Sequence, residues 1–462
     1  MTLRLTPRCL ARRGAVVAIW AAGLQLLLAP GAAVASQSCA RGLSAPVAVP
    51  TGAERMQARG RLRDWVGQAV TRSAAADAAR WQAEAAQDDV REARAALGPQ
   101  ASLGATLGPQ VSQAAGNTET SAAQWRASLG VSQLLYDGGR ADALVQARRL
   151  QADAVRLGWV NQQEQLALGT VAAALEWSRY RSLLQVMDDY QRSAACLTAA
   201  MEQVVAADRG RLSELVQARK SLAQVQLTRH QIEAQARQSE LRLRRFVGEI
   251  PLADDGLRGA VEDVPGLQAL WAQMERAPDV AQVRAQAAAA DAQARSAAAA
   301  LRPQLSLSAG LTHNGNAGGS LPGSHGASAN VTLALSVPLW SPGNDAAADA
   351  ARKRALAAQR ASDDLLEVRR HRVTDLHDQA RSALEREQLT AAVVRDSAQL
   401  YGYTLQQWQQ LGRRSLFDVM AAESDHFGLR ISQENARHDA QQLNATLHSL
   451  GAGLLDWLAQ PR

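Results

Sequence analysis

The residues of this 462-residue chain whose types could do chemistry are few, and most do not assemble into a reagent. His371, Asp375 and Asp378 share a helical face by spacing. Without an HExxH pattern or a cysteine pair beside them, that spacing is what a solvated helix face also produces. The Gly-rich run Gly315 to Gly326 has no Gly-Lys-Ser/Thr, so it lacks the lysine and hydroxyl a phosphate cradle needs. Asn330-Val331-Thr332 is a glycosylation triplet only in a eukaryotic secretory route. No catalytic residue, metal ligand or cofactor is assigned, so the energy for any work must come from a partner. What does recur is a set of small hydroxyls: Ser128, Ser132, Ser306, Ser308, Thr332 and Ser336. Hydroxyls at every second position do not break bonds; they line water.

Those hydroxyls belong to segments of period two. From Trp125 to Arg140, Trp125, Ala127, Leu129, Val131, Gln133 and Leu135 alternate with Arg126, Ser128, Gly130, Ser132 and Leu134. One face is apolar and the other small or polar, the pattern of a half-wet strand. Asp137-Gly138-Gly139 stops it. A related segment, Val331 to Asn344, recurs 204 positions later, so the chain is read as an internal duplication. Ala101 to Leu107 and Leu305 to Thr312 alternate likewise, and each partners the later strand of its repeat in a hairpin. Gly108–Gln124 and His313–Ala327 are read as the loops. Trp125 sits at one end of its strand and Tyr136 at the other, and Trp340 repeats the Tyr136 position. That suits aromatic girdles at two membrane interfaces.

The elements that must hold these strands are helices. The composition is 47% hydrophobic but only 4% aromatic, which suits long packed helices better than a large globular core. Net charge is +6 with pI near 9.7. No basic stripe or set of stacking aromatics supports a nucleic-acid partner. Residues 1–35 are read as a signal peptide: Arg4, Arg8, Arg12 and Arg13, then apolar Ala15 to Leu28, then Ala33-Val34-Ala35 before a mature start near Ser36. Ser36-Gln37-Ser38 ahead of Cys39 is not a lipid-attachment context. A Cys39–Cys196 bridge is permitted in an exported protein but left open.

In chain order the reading is a tail (36–52), a repeat-1 helix (53–98), hairpin 1 (99–137) and repeat-1 periplasmic helices (138–248). A linker (249–277), a repeat-2 helix (278–302), hairpin 2 (303–341), repeat-2 periplasmic helices (342–450) and a tail (451–462) follow. Leu150, Ala154, Leu157 and Val160 mark one helix seam, and Leu215, Leu222 and Val225 another. Ala277-Pro278-Asp279 is a helix start. Four strands cannot close a barrel, yet open sheet edges are excluded from lipid. Closed barrels begin at about eight strands, so copies of the chain must complete one another. The alternative of another class is a soluble periplasmic coiled-coil scaffold, whose sheet has one wet face.

The arrangement resembles the TolC family of outer-membrane export channels. The resemblance is carried by Ala95-Ala96-Leu97-Gly98-Pro99-Gln100 and Ala299-Ala300-Leu301-Arg302-Pro303-Gln304 before the first strands. It continues in Ser132-Gln133-Leu134-Leu135-Tyr136-Asp137-Gly138-Gly139 and Ser336-Val337-Pro338-Leu339-Trp340 at the strand ends, and in Gly412-Arg413-Arg414-Ser415-Leu416-Phe417-Asp418-Val419 at a helical turn. It implies a mainly α fold with a small β part: a long α-helical barrel beneath a twelve-stranded β-barrel, closed by three copies. It implies outer-membrane lipid around the strands, a periplasmic adaptor, and an inner-membrane ABC transporter or proton-driven pump. It also implies a periplasmic entrance gate in which Arg414 bonds Glu214 and a ring of Asp418 favours cations. Ala421 stands where the family often has a second acid, and Asp208 where it prefers Gly. The function implied is a passive exit duct. Type I secretion of a protein, such as a cyclolysin-type toxin, is the first reading, and multidrug efflux is the alternative.

Overall fold

The computed structural model describes residues 50–112, 120–250, 257–317 and 326–460. The expected signal peptide, the tail through residue 49 and Cys39 lie outside the described residues. The elements run α1 (Gly52–Arg72), α2 (Ala74–Ala95), β1 (Gln100–Ser112), β2 (Thr120–Tyr136), α3 (Arg140–Ala207), α4 (Leu212–Val247), α5 (Leu267–Met274), α6 (Pro278–Ala299), β3 (Gln304–Ala317), β4 (Gly326–Ser336), α7 (Pro342–Leu411), α8 (Leu416–Leu450) and α9 (Leu454–Ala459). The duplication is visible as α2-β1-β2-α3-α4 against α6-β3-β4-α7-α8. The helices α1, α5 and α9 pack at mid-length.

Each half is carried by one very long helix. The 68 residues of α3 and the 70 of α7 make rods on the order of 100 Å at 1.5 Å per residue. Ala-rich seams let neighbours approach closely: Ala86 and Val90 of α2 meet Ala152 of α3, and Ala294 of α6 meets Ala351 and Ala355 of α7. The largest buried cluster lies where α1, α3, α4 and α9 meet, around Leu62, Trp65, Val171, Trp177, Leu243 and Leu454. Trp65 and Trp177 meet edge-on there, centroids 5.8 Å apart. Glu164 enters this cluster because its carboxylate accepts the first N–H groups of α9, from Leu454 (2.8 Å) and Leu455 (3.2 Å).

The strands form one antiparallel sheet in the order β1-β2-β3-β4, so the two hairpins lie side by side. Leu103, Leu129, Leu311, Val331 and Leu333 are all exposed on its apolar face. No helix among the described residues is long and apolar enough to cross a membrane.

The structure corrects several expected boundaries. The helix expected over 53–98 is two, because Ser73 leaves the helical region and accepts a bond from Ala76 N–H to cap α2. The linker holds α5 and the C-terminal tail holds α9; both are too short for a periodic pattern to register. The strands outrun the expected loops: β1 reaches Ser112, β2 starts at Thr120 and β3 runs to Ala317. Ladder hydrogen bonds carry the poor strand formers in these stretches. Trp125 is therefore inside its strand, not at its end. The opposite error occurs at β4, which ends at Ser336 before Pro338, since proline has no N–H for the ladder.

Candidate pore lining and periplasmic gate

The register decides which strand residues share a face, because directly paired residues point the same way. Ser128 pairs with Gly104 on one side and Thr312 on the other, and Thr312 pairs with Ser328. Ser132, Ser308 and Thr332 form a second row. Ser306 pairs with Leu134 and Ala334, and Ser336 with Gln304. The expected lumen-facing hydroxyls thus lie on the face opposite the exposed leucines.

The three expected girdle residues are held differently. Trp125 lies against His313, centroids 5.2 Å apart, and its indole covers the Gly315 backbone so closely that a Cβ there would collide with it. Tyr136, even-numbered, should point with the hydroxyls. A bulge between Leu134 and Tyr136 sets it opposite Leu305, which turns it to the apolar face. Trp340 lies four residues beyond β4, largely exposed.

The strand-to-helix junction of repeat 1 is locked. Gly138 and Gly139 have φ of +68° and +85°, which only glycine adopts without strain. Asp137 accepts bonds from Gly139 N–H (3.0 Å) and Ala141 N–H (2.6 Å), capping α3. Arg302 of the other repeat donates to the Gly138 carbonyl at 2.6 Å.

At the far end, two helical turns form the candidate entrance. In repeat 2, α7 ends at Gly412 with φ +59°, and Ser415 opens α8. Asp418 N–H donates to the Ser415 hydroxyl (3.2 Å), and Ser415 N–H donates to the Asp418 carboxylate (3.1 Å). This reciprocal capping box holds the Asp418 carboxyl below its ordinary value; the Ser415 backbone contributes most and Arg414 least. Arg414 donates to Gln407 at 3.2 Å. In repeat 1, Arg211 grips Glu214 with two bonds, 2.9 and 2.7 Å. Within one chain, then, Arg414 and Glu214 each hold another partner and are not paired with each other. In the single chain the Asp418 carboxylate is set by these capping bonds and not by another carboxylate.

Sequence reasoning missed the polar joint just above the repeat-2 turn. Glu423 and His426 of α8, Tyr401 and Ser397 of α7 and Ser193 of α3 are buried together. The Tyr401 hydroxyl lies 2.8 Å from Ser193 Oγ and donates to Glu423 Oε1 at 3.3 Å. Ser397 Oγ lies 2.9 Å from His426 Nδ1. Burial pushes the Glu423 carboxyl up to about 7, against hydrogen bonds from Ser193 and Tyr401. Burial, aided by Arg430, pushes the His426 imidazolium down to about 4. Beside them Asp189 of α3 pairs with Arg430 at 2.8 Å, and Tyr190 stacks on Phe427. The available signal was an acid and a histidine on the seam Leu416, Val419, Glu423, His426, where heptad positions are normally apolar.

Cys196, at the edge of the same region, is disulfide-bonded; Cys39, the partner left open above, is not among the described residues. His371, Asp375 and Asp378 form no metal cluster, and no group of three or more potential ligands occurs among the described residues.

The sheet, the rods and the turns together match known channels. The family model described as outer membrane efflux protein matches residues 65–249 and 272–453. Among solved structures, CusC aligns with a TM-score of 0.76 at 18% identity, covering 85% of this chain and 92% of its own. VceC of Vibrio cholerae aligns at 0.73 and 19%, covering 85% and 97%. The open state of the Neisseria gonorrhoeae MtrE outer membrane channel aligns at 0.69 and 18%, covering 85% and 89%. No curated protein sequence gave a match. The chain belongs to the outer membrane efflux protein family: it is a TolC-type transport channel of the outer membrane that extends into the periplasm.

Proposed function

We propose that three copies of the chain close a twelve-stranded barrel and form the passive exit duct of a tripartite export system. The observation that carries this is the sheet itself. Its outer strands β1 and β4 each have one ladder partner, while its apolar face is exposed. In hydrocarbon those edges must be paired, and β4 of one copy against β1 of the next does so. The strand length fits: from Trp125 to Tyr136 at about 3.3 Å per residue, tilted about 40°, the rise approximates the ~25 Å apolar band of outer-membrane barrels. A periplasmic adaptor and an inner-membrane ABC transporter or proton-driven pump supply cargo and energy.

The entrance lies at the α3–α4 and α7–α8 turns. Arg414 reaches Glu214 there when subunits assemble, and three Asp418 carboxylates form a cation-favouring ring. The cargo in this reading is a protein delivered by type I secretion, which a lumen of Ser, Thr and Gly lets pass without retaining it. Efflux of small toxic compounds is the second reading, favoured by the family's own description.

Fractionation tests the duct: the chain should sediment with outer membranes and run as a trimer, and a soluble monomer would sink the proposal. In planar bilayers Arg414→Ala, alone or with Glu214→Ala, should raise conductance; unchanged conductance removes the pair from the gate. A deletion strain that keeps its secreted proteins but becomes drug-sensitive reverses the order of the two cargo readings.

A further inference from the structure

Arg126 is the one residue with a fixed charge on the described strands. It pairs with Thr106 and Asn314, two residues before Ser128, and so shares the hydroxyl face. Its Nε donates to Asn314 Oδ1 at 3.1 Å, a bond across the boundary between the two repeats. That bond fixes the guanidinium stem against the wall and leaves its other donors exposed. Along the strand Arg126 is beside Trp125 and one ladder step from His313, in the half of β2 farther from the helices, six residues from Thr120 and ten from Tyr136. Everything else described on this face is Ser, Thr, Gly, Gln, Asn, Ala or Leu, so nothing there neutralises it.

We propose that Arg126, once per subunit, forms a basic ring that draws anions to the outer mouth of the duct. This ring is opposite in sign to the Asp418 carboxylates at the far end. The proposal rests on the barrel reading above. A charge facing a narrow aqueous lumen with low-dielectric walls raises the local concentration of its counter-ion, and guanidinium rings are how anion-selecting pores are built. The planar fork suits carboxylate and phosphate groups. The ligand class is therefore the small or chain-borne anion carrying either group. Because the Debye length is about 8 Å at physiological ionic strength and about 30 Å at 0.01 M, the ring's reach grows as salt falls.

The test uses the full-length channel in planar bilayers, with inorganic pyrophosphate added on the extracellular side at low salt. Wild type should be blocked, and Arg126→Gln, which keeps a donor for Asn314, should weaken that block roughly tenfold. Arg126→Glu should move the reversal potential in a KCl gradient toward that of K⁺. Arg126→Lys should keep the block, separating loss of charge from loss of fold. Equal block of wild type and Arg126→Gln, or loss of block in Arg126→Lys as well, overturns the proposal. Absence of any channel in wild type instead overturns the barrel reading beneath it.

Discussion

The two periplasmic turns descend from one duplicated unit but are held by different physics. Asp418 and Glu214 stand 204 positions apart, as do Ser415 and Arg211. In repeat 2 the helix stops on a left-handed glycine and restarts on a serine that closes a capping box. In repeat 1 the helix stops on Asp208 in an extended conformation, a 3₁₀ turn follows, and arginine occupies the capping position with no side-chain cap. There the acid that should cap the helix is held by Arg211 instead. The difference continues upward. Where repeat 2 buries Glu423 and His426, repeat 1 has Arg219, exposed and paired with Glu202, and Leu222, packed near Met187 and Val225. One turn is neatly capped beneath a titratable joint; the other is irregular beneath an ordinary apolar seam. In the proposed gate, such unequal halves would let one helical pair yield before the other.

The largest way to break this asymmetry is to empty the joint. Tyr401 is fully buried, so Tyr401→Ala should cost about 3–5 kcal/mol and make α7 and α8 protease-sensitive before α3 and α4. Simultaneous cleavage of both pairs would show that the halves are not independent.

Next in size is pH. The Glu423 carboxyl moves from 4.5 unfolded to about 7 folded, and at 1.36 kcal/mol per unit that is about 3 kcal/mol. Because the folded value is raised, this stability is complete below pH 4.5 and lost as pH climbs through 7. His426 does the reverse. Lowered from 6.5 to about 4, its contribution is complete above pH 6.5 and lost as pH falls through 4. The joint is therefore firmest between the two. Corrected for the intrinsic base-catalysed rise of amide exchange, the protection of α8 should be greatest near pH 5 to 6 and fall toward 8, and Glu423→Gln should abolish that fall. The matching stretch of α4 should show neither effect.

Smaller still are the caps. Ser415→Ala should cost about 1 kcal/mol, and Arg211→Ser should stabilise the repeat-1 turn by a similar amount, by restoring the box with Glu214. Thermal unfolding of the two variants in detergent should move in opposite directions. Least of all, Arg211→Ala should change stability by only about 0.3–0.5 kcal/mol, the size of an i,i+3 or i,i+4 pair near solvent. A larger loss would mean that Arg211 holds more than Glu214.

Much of this protein was legible as a string. The 204-residue offset, the period-two strands and the uninterrupted helical runs are local or repeating patterns, and they carried the duplicated α-β-β-α-α plan and the apolar face of its sheet. The hydroxyl face followed from alternation alone. What the string could not show depends on partners distant in sequence. A bulge of one residue reverses the face of Tyr136, and only the pairing of β2 with β3 reveals it. Glu423 and Tyr401 meet Ser193, more than 200 positions away, only once α7 and α8 fold against α3. Arg126 was one entry in an alternation until four strands were set in register and it proved to be their sole fixed charge. Periodicity determines which face a side chain takes within its own element; register and packing decide what waits on that face, because those depend on contacts that no local window contains.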